Sequence, residues 1–284
     1  MPPPQDRCDA ECSPERGFYY HASKHSAGQP IVAGWSYQWI SQLSWAPDSW
    51  TAPIDARRVP VSANTTDATV AQVTDVVELL GDDGDVPMFV FDAGYDPTAL
   101  THELADTRAQ LLVRIRDDRV FYTDPPPRQN STPGRPRRHG EKFTCGDPDT
   151  WPDPDDQLTA TNSRYGTVTA WSALHPKLAR RGHWAEHDQA PIVRGTVIRV
   201  EVEHLPKPTA RTKKTLWLWW AGAATPDLEL CFRAYLRRSD IEHTYRFAKN
   251  TLGWTTPRIC TPEQADLWTW LIVAAYTSCG SLAG

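Results

Sequence analysis

Several things are missing from this sequence, and each absence narrows the reading. No run of about 18 apolar residues occurs, so there is no ordinary membrane span. The first residues, Met1-Pro2-Pro3-Pro4-Gln5-Asp6, lack the cationic start and apolar stretch of a secretory signal. Cysteine is sparse and scattered. Cys8, Cys12, Cys145, Cys231, Cys260 and Cys279 make no CxxC pair and read as reduced thiols of a cytosolic protein. No internal repeat is present.

Net charge is small, −5, but unevenly spread. Residues 1–112 hold 6 Lys/Arg against 16 Asp/Glu, whereas residues 113–284 hold 24 against 19. The second part is where a phosphate-bearing partner would sit. Apolar residues (40%) outweigh charged ones (23%), so the 284 residues can bury a real core as one large domain or two small ones. Thirteen Trp and twenty-five Pro predict large packed anchors and many loops rather than a helical bundle.

Residues 1–16 are polar and Pro-rich, without periodicity. Runs 31–43 and 50–59 are rich in aromatic and β-branched residues and predict strands. Residues 65–80 predict a helix: Val70, Val73, Val76, Val77 and Leu80 recur at three and four, with Thr65 or Thr66 as cap. The stretch 88–91, Met-Phe-Val-Phe, is continuously apolar, as in a buried central strand, and it ends in Asp92. A helix is predicted over 98–110 and an apolar strand over 111–115. Strands and helices in alternation mean an α/β sheet. The functional crevice of such a sheet lies outside the carboxyl ends of its strands, and Asp92 stands at one. Asp96, before Pro97, reads as a helix cap rather than a ligand.

Residues 124–160 are Pro/Gly-rich and carry Arg128, Arg135, Arg137, Arg138, His139 and Lys142. Alternating runs at 165–171, 196–204 and 215–220 predict antiparallel strands, so a β-rich section interrupts the α/β pattern. Helices over 229–250 and 261–277 follow.

Within the first of those helices, Tyr235, Arg238, Glu242 and Lys249 lie at offsets 0, 3, 7 and 14. At about 100° per residue they fall within roughly 60° of one face. A carboxylate between two cations and a phenol suits a site that holds a hard cation and phosphates. The bland alternative is a solvated face with an Arg238–Glu242 ion pair.

The spacing Y-x(2)-R-x(3)-E-x(6)-K resembles the signature of bacterial insertion-sequence transposases of the DDE type. Phe91-Asp92-Ala93-Gly94-Tyr95 resembles the motif around that family's second catalytic aspartate. Leu111-Leu112-Val113-Arg114-Ile115-Arg116 resembles the strand that follows it, and Leu252-Gly253-Trp254 the segment after the helix. The resemblance spans about residue 17 to the C-terminus. It implies an α/β, RNase H-like mixed sheet with flanking helices, interrupted by a β-rich insertion domain. The implied parts are an irregular segment 1–16, catalytic residues 17–123, an insertion 124–225 with a basic loop, and a helical completion 226–284.

The resemblance also implies chemistry. Two aspartates and a glutamate hold two Mg²⁺ ions (Mn²⁺ as substitute) for in-line phosphodiester cleavage and strand transfer at insertion-sequence ends. Asp92 and Glu242 are then metal ligands, and Tyr235, Arg238 and Lys249 position DNA phosphates. The implied partners are terminal inverted repeats, target DNA and a second copy in a homodimer, in the bacterial cytoplasm at the nucleoid.

One part of the pattern has no counterpart. The family's first aspartate ends the first strand, yet Asp6 and Asp9 lie in polar sequence and Asp55 lies inside a later strand. The expectation is a chain truncated before that strand, and again near 277–284, in which cleavage is very weak or absent. The alternatives are a non-catalytic DNA-binding remnant and an unrelated metal-dependent phosphodiesterase. His183-Trp184-Ala185-Glu186-His187 matches an inverted zinc-protease pattern, but the segment is too short for the helix that pattern needs. Arg135, Arg137 and Arg138 read equally as phosphate contacts or a solvated loop. Trp171, Trp184, Trp217, Trp219 and Trp220 read mostly as core. Trp184, beside Lys177, Arg180 and Arg181, is favoured as a base-stacking residue.

Overall fold

The computed structural model describes residues 15–20, 31–127, 137–160, 166–202 and 215–283. Asp6, Asp9, Cys8, Cys12, Arg128 and Arg135 lie outside them. The chain forms two compact units. One comprises Met1–Gly81 with Arg237–Gly284, the other Asp82–Leu236.

In the first unit, β1 (Gly17–Tyr20) pairs antiparallel with β2 (Ile31–Gly34), and β3 (Ser36–Leu43) with β4 (Thr51–Val59). The single strand predicted over 31–43 is therefore two. The chain turns at Trp35, whose indole is fully buried while its neighbours pair in different sheets. The register of β3 and β4 shifts between Ile40 and Ser41, where Pro53 opposes Ser41. A bulge is where a strand tolerates a residue without an N–H. Helix α1 (Thr65–Leu80) begins at Asn64, whose side chain accepts from Thr66 N–H, and stops at Gly81 with φ 68°. Gln72 reaches from it to Asp55 Oδ2 at 3.1 Å.

Two further helices complete this unit, α4 (Asp240–Asn250) and α5 (Pro262–Ala283). Trp35, Tyr37, Trp39 and Ala56 pack with Ala248, Trp254, Ile259, Ala265, Ile272 and Val273. Polar ends of this aromatic core are satisfied: Trp254 Nε1 donates to Thr269 Oγ1 at 3.0 Å, and the Tyr37 hydroxyl donates to Asp266 at 2.7 Å. No helix among the described residues is long and apolar enough to cross a membrane.

The second unit is built on an eight-stranded mixed sheet. Its strands are β5 (Met88–Phe91), β6 (Gln110–Ile115), β7 (Val120–Tyr122), β8 (Lys142–Thr144), β9 (Asp156–Ala160), β10 (Gly166–Pro176), β11 (Gly195–Val202) and β12 (Thr215–Ala221). The order is β5-β6-β12-β11-β10-β7-β8, with β9 also on β10. Among the described residues, only β5 and β6 run parallel. The strands predicted as a separate β-rich section thus continue the sheet that carries β5 and β6.

Successive side chains of β12 explain the near-continuous apolar run. Leu218 and Trp220 enter one cluster with Leu112, Ile198 and Val200, against Leu228, Cys231 and Phe232 of α3 (Leu228–Arg237). Trp217 and Trp219 enter another with Val113, Phe121, Phe143 and Trp171. A sheet covered on both faces has no polar side to show.

Two predicted helices are shorter than expected. The one over 98–110 is α2 (Pro97–Glu103), which ends at Leu104, itself buried. Tight turns then follow, from Ala105 N–H to His102 O and from Thr107 N–H to Leu104 O. The one over 229–250 is divided into α3 and α4 around Arg238 and Ser239. There the backbone bonds span three residues, Ile241 N–H to Arg238 O and Glu242 N–H to Ser239 O.

Candidate active site

Asp92 follows directly on β5, exposed at the carboxyl end of a parallel strand. Its Oδ1 accepts the Gly94 N–H at 2.8 Å, which turns the chain sharply away from the sheet. A Cβ on Gly94 would stand 3.1 Å from that same oxygen, so the turn favours glycine. The Tyr95 ring packs on Phe91 with centroids 4.9 Å apart. Asp96 then caps α2 as expected, accepting from Thr98 N–H at 3.0 Å and Ala99 N–H at 3.1 Å, with Pro97 in the first turn.

The Tyr-Arg-Glu-Lys stripe does not lie on one helix, because the helix is broken. Tyr235 belongs to α3 in the second unit, where it packs partly buried against the Leu112–Trp220 cluster. Arg238, Glu242 and Lys249 belong to the first unit. Arg238 Nη2 lies 3.6 Å from Glu242 Oε1. Glu242 stands in the first turn of α4, where an acidic side chain complements the helix dipole. Burial pulls the Lys249 ammonium below its ordinary range, and the Glu242 charge partly restores it. The break itself is held by an ion pair that sequence reasoning missed: Arg237 Nε lies 2.8 Å from the buried Asp240 carboxylate. An i,i+3 pair of opposite charge was its only sequence signal.

Arg137, Arg138, Lys177, Arg180 and Arg181 are exposed in the second unit. His139 ties two of these stretches together. Its imidazole is pushed down by burial first, then by His175, Arg138 and Lys177. Its ring lies tilted against Tyr122 at 4.5 Å and stacks on His175 at 5.4 Å, centroid to centroid. His175 is fully buried, with Nδ1 2.9 Å from Pro176 O and Nε2 3.1 Å from Thr123 O. A neutral ring can donate to only one of those carbonyls. The sequence singled out the cations but not this imidazole support, which depends on strand pairing between β7 and β10.

Trp171, Trp217, Trp219 and Trp220 are each at most 4% exposed, so they are core. Trp184 remains partly exposed, its ring against His102, His183 and His187 at 5.2, 4.6 and 5.2 Å. His183 Nε2 lies 2.9 Å from Glu103 Oε1. Gly182–Trp184 is a single 3₁₀ turn, not the helix the inverted zinc pattern requires. No group of three or more His, Cys, Asp or Glu among the described residues is arranged to hold a metal ion.

Asp92 and Glu242 are exposed carboxylates, hard oxygen donors of the kind that suit Mg²⁺ or Mn²⁺. The mixed α/β architecture, with its parallel strand pair ending in an acidic turn, is consistent with an RNase H-like nuclease fold. Comparison with known proteins agrees. No curated protein matches the chain significantly. The family model described as DDE superfamily endonuclease matches residues 4–177, more than half of the chain and including Asp92. The chain therefore belongs to the DDE superfamily endonucleases, a family of transposase- and nuclease-type enzymes that act on DNA with divalent metal ions.

Proposed function

We propose that the chain is a transposase of the insertion-sequence type, with Asp92 and Glu242 as its metal-ligating carboxylates. The observation that carries the reading is Asp92 itself: exposed, at the end of a parallel strand, inside the segment that matches the family. Glu242 lies outside the matched segment, and its assignment rests on its spacing from Arg238 and Lys249. Tyr235, Arg238 and Lys249 hold DNA phosphates near the scissile bond. Arg135, Arg137, Arg138, Lys177, Arg180 and Arg181 add sequence-independent grip on the backbone, with Trp184 as the aromatic contact. The assembly is a homodimer on terminal inverted repeats and target DNA, in the bacterial cytoplasm at the nucleoid.

Bound Mg²⁺ supplies Lewis-acid stabilisation and an activated nucleophile. The chain's own groups hold and orient. In cleavage, water oxygen attacks phosphorus, the bond to the 3′ oxygen breaks, and that oxygen leaves as a hydroxyl. In strand transfer the 3′ hydroxyl attacks a target phosphate and a target 3′ oxygen leaves. Arg238 and Lys249 offset phosphate charge in both steps. Two assigned carboxylates are one fewer than the family's set, so cleavage by this chain alone is very weak or absent.

The test is nicking of terminal-repeat DNA by purified chain with Mg²⁺ or Mn²⁺. We expect a trace at most, lost in Asp92→Asn and in Glu242→Gln. Robust nicking that survives both substitutions would overturn the assignment. DNA binding without any nicking would favour the non-catalytic reading.

A further inference from the structure

Beside α4, in the first unit, a recess of about 440 Å³ opens to solvent. Its wall is aromatic: the Trp50 ring lies 4.6 Å from Tyr276 and 5.5 Å from Phe247, centroid to centroid. The wall is fixed from behind. Tyr276 is buried, and its hydroxyl shares a hydrogen bond with Thr244 at 3.0 Å. Thr244 shares another with Thr51 at 2.8 Å. The loop that presents Trp50 is held as well. Trp50 N–H donates to Asp48 Oδ1 at 2.9 Å, and Asp48 O accepts from Arg237 at 2.7 Å. A Cβ on Gly280 would touch the Trp50 ring at 3.4 Å, so the absent side chain leaves the indole room.

The rim differs in kind from the wall. It carries Arg246, Asn250 and Asp48, all exposed. The Trp50 and Phe247 rings stand at 62° to each other, so a planar ring stacked on one meets the other edge to face. A guanidinium fork receives a phosphate. An amide both donates and accepts, as the edge of a heterocycle requires, and a carboxylate accepts from a hydroxyl or exocyclic amine. The volume falls in the range of small-molecule sites, about 300–1,000 Å³. Phe247 points roughly 140° round α4 from Glu242 but Arg246 only about 40°, so the aromatic wall lies away from the carboxylate while the cationic rim adjoins its face.

From this combination we infer that the recess binds one nucleotide, its base against Trp50 and Phe247 and its phosphate on Arg246. The same chemistry is offered by a free nucleotide and by an unpaired nucleotide within a strand. The inference stands apart from the proposed cleavage and does not depend on it.

Equilibrium dialysis of the full chain separates the outcomes, using labelled deoxyadenosine and thymidine monophosphates, inorganic phosphate, a short single-stranded oligonucleotide and its duplex. We expect the monophosphates to bind at least about fivefold more tightly than inorganic phosphate, since stacking on aromatic rings supplies that much. Phe247→Leu should remove that advantage, leaving phosphate binding unchanged. Arg246→Gln, at an exposed position, should weaken monophosphates about tenfold without changing the melting temperature. A single strand favoured over both monophosphate and duplex, and sensitive to Phe247→Leu, assigns the strand as the source. Equal affinity for strand and monophosphate assigns the free nucleotide. No binding of either, or binding that Phe247→Leu and Arg246→Gln both leave unchanged, overturns the inference. Asp92→Asn should bind as the parent does, so a failed cleavage assay and a failed nucleotide site remain distinguishable.

Discussion

Arg238 and Glu242 face each other at 3.6 Å across the point where α3 gives way to α4. The carboxylate is the exposed partner, at 61% against 20% for the guanidinium. Solvent-exposed pairs of this kind contribute little, about 0–1 kcal/mol. Glu242→Gln should therefore lower stability by less than about 1 kcal/mol in urea unfolding. The same substitution removes the charge a divalent ion needs, so any Mg²⁺-dependent nicking should disappear. A large stability loss would mean that the carboxylate is structural.

Asp92 separates two jobs that one side chain performs. Its Oδ1 accepts the Gly94 N–H at 2.8 Å, which shapes the turn after β5. Asparagine keeps that acceptor and loses the charge, whereas alanine loses both. Asp92→Asn should melt with the parent, and Asp92→Ala should be less stable by about 1 kcal/mol, the typical worth of one such hydrogen bond. Nicking should be absent from both. Equal melting of all three would remove the turn from the account.

These two positions also show how far the sequence could be read. The position of Asp92 at a strand end was legible because a four-residue apolar run stops just before it. Asp96 was legible for a similarly local reason, since Asp-Pro announces a helix start. The stripe from Tyr235 to Lys249 was not, because helical periodicity continues through Arg238 and Ser239 while the backbone does not. At the break Arg237 pairs with the buried Asp240 and reaches Asp48 O, a contact from outside the helix. No local propensity reports a contact nearly two hundred positions away. The His139–His175 stack was hidden for the same reason.

Asp266 is a test of the first unit's core. It accepts from the Tyr37 hydroxyl at 2.7 Å and from Arg58 Nε at 3.1 Å, and the Arg58 side chain is only 17% exposed. Removing the carboxylate leaves Arg58 only its more exposed partner Glu15 and takes one of two hydrogen-bond partners from the buried Tyr37 phenol. Asp266→Ala should lose about 2 kcal/mol, somewhat below the cost of breaking a fully buried pair because Asp266 itself is partly solvated. Asp266→Asn should recover part of that by still accepting from Tyr37. Chemical unfolding of the two variants beside the parent measures both values.

Lys249 should make DNA affinity unusually sensitive to mild alkali. Burial lowers its ammonium pKa below the ordinary 10.5, only partly offset by Glu242. The charge is therefore lost earlier than for an exposed lysine as pH rises, and the phosphate contact is lost with it. Stability moves the other way. Between the lowered value and 10.5 the unfolded chain holds more protons than the folded one, so this group's contribution rises with pH in that window. Fluorescence anisotropy of labelled duplex should show affinity falling with pH, and Lys249→Arg, which keeps its charge, should remove that fall. Identical pH profiles for parent and variant would place Lys249 away from the DNA.

Cys145 and Cys231 carry the opposite sign. Burial is the first cause for each, and both thiols are pushed up from 9.0 to about 12. Between those values the unfolded chain sheds its thiol protons and the folded chain keeps them. Stability must then fall as pH rises, by on the order of 1–2 kcal/mol per thiol at about pH 10.5. Both sulfurs are packed inside apolar clusters of the second unit, so neither should react with a thiol reagent until the chain unfolds. The exposed Cys260 should react at once. Urea titrations at about pH 8 and pH 10.5 isolate the effect by comparing the parent with the double variant Cys145→Ala, Cys231→Ala. The variant pays a cavity cost at both pH values but loses the alkaline slope of the two thiols, and a slope equal to the parent's would show that they ionise in the folded chain.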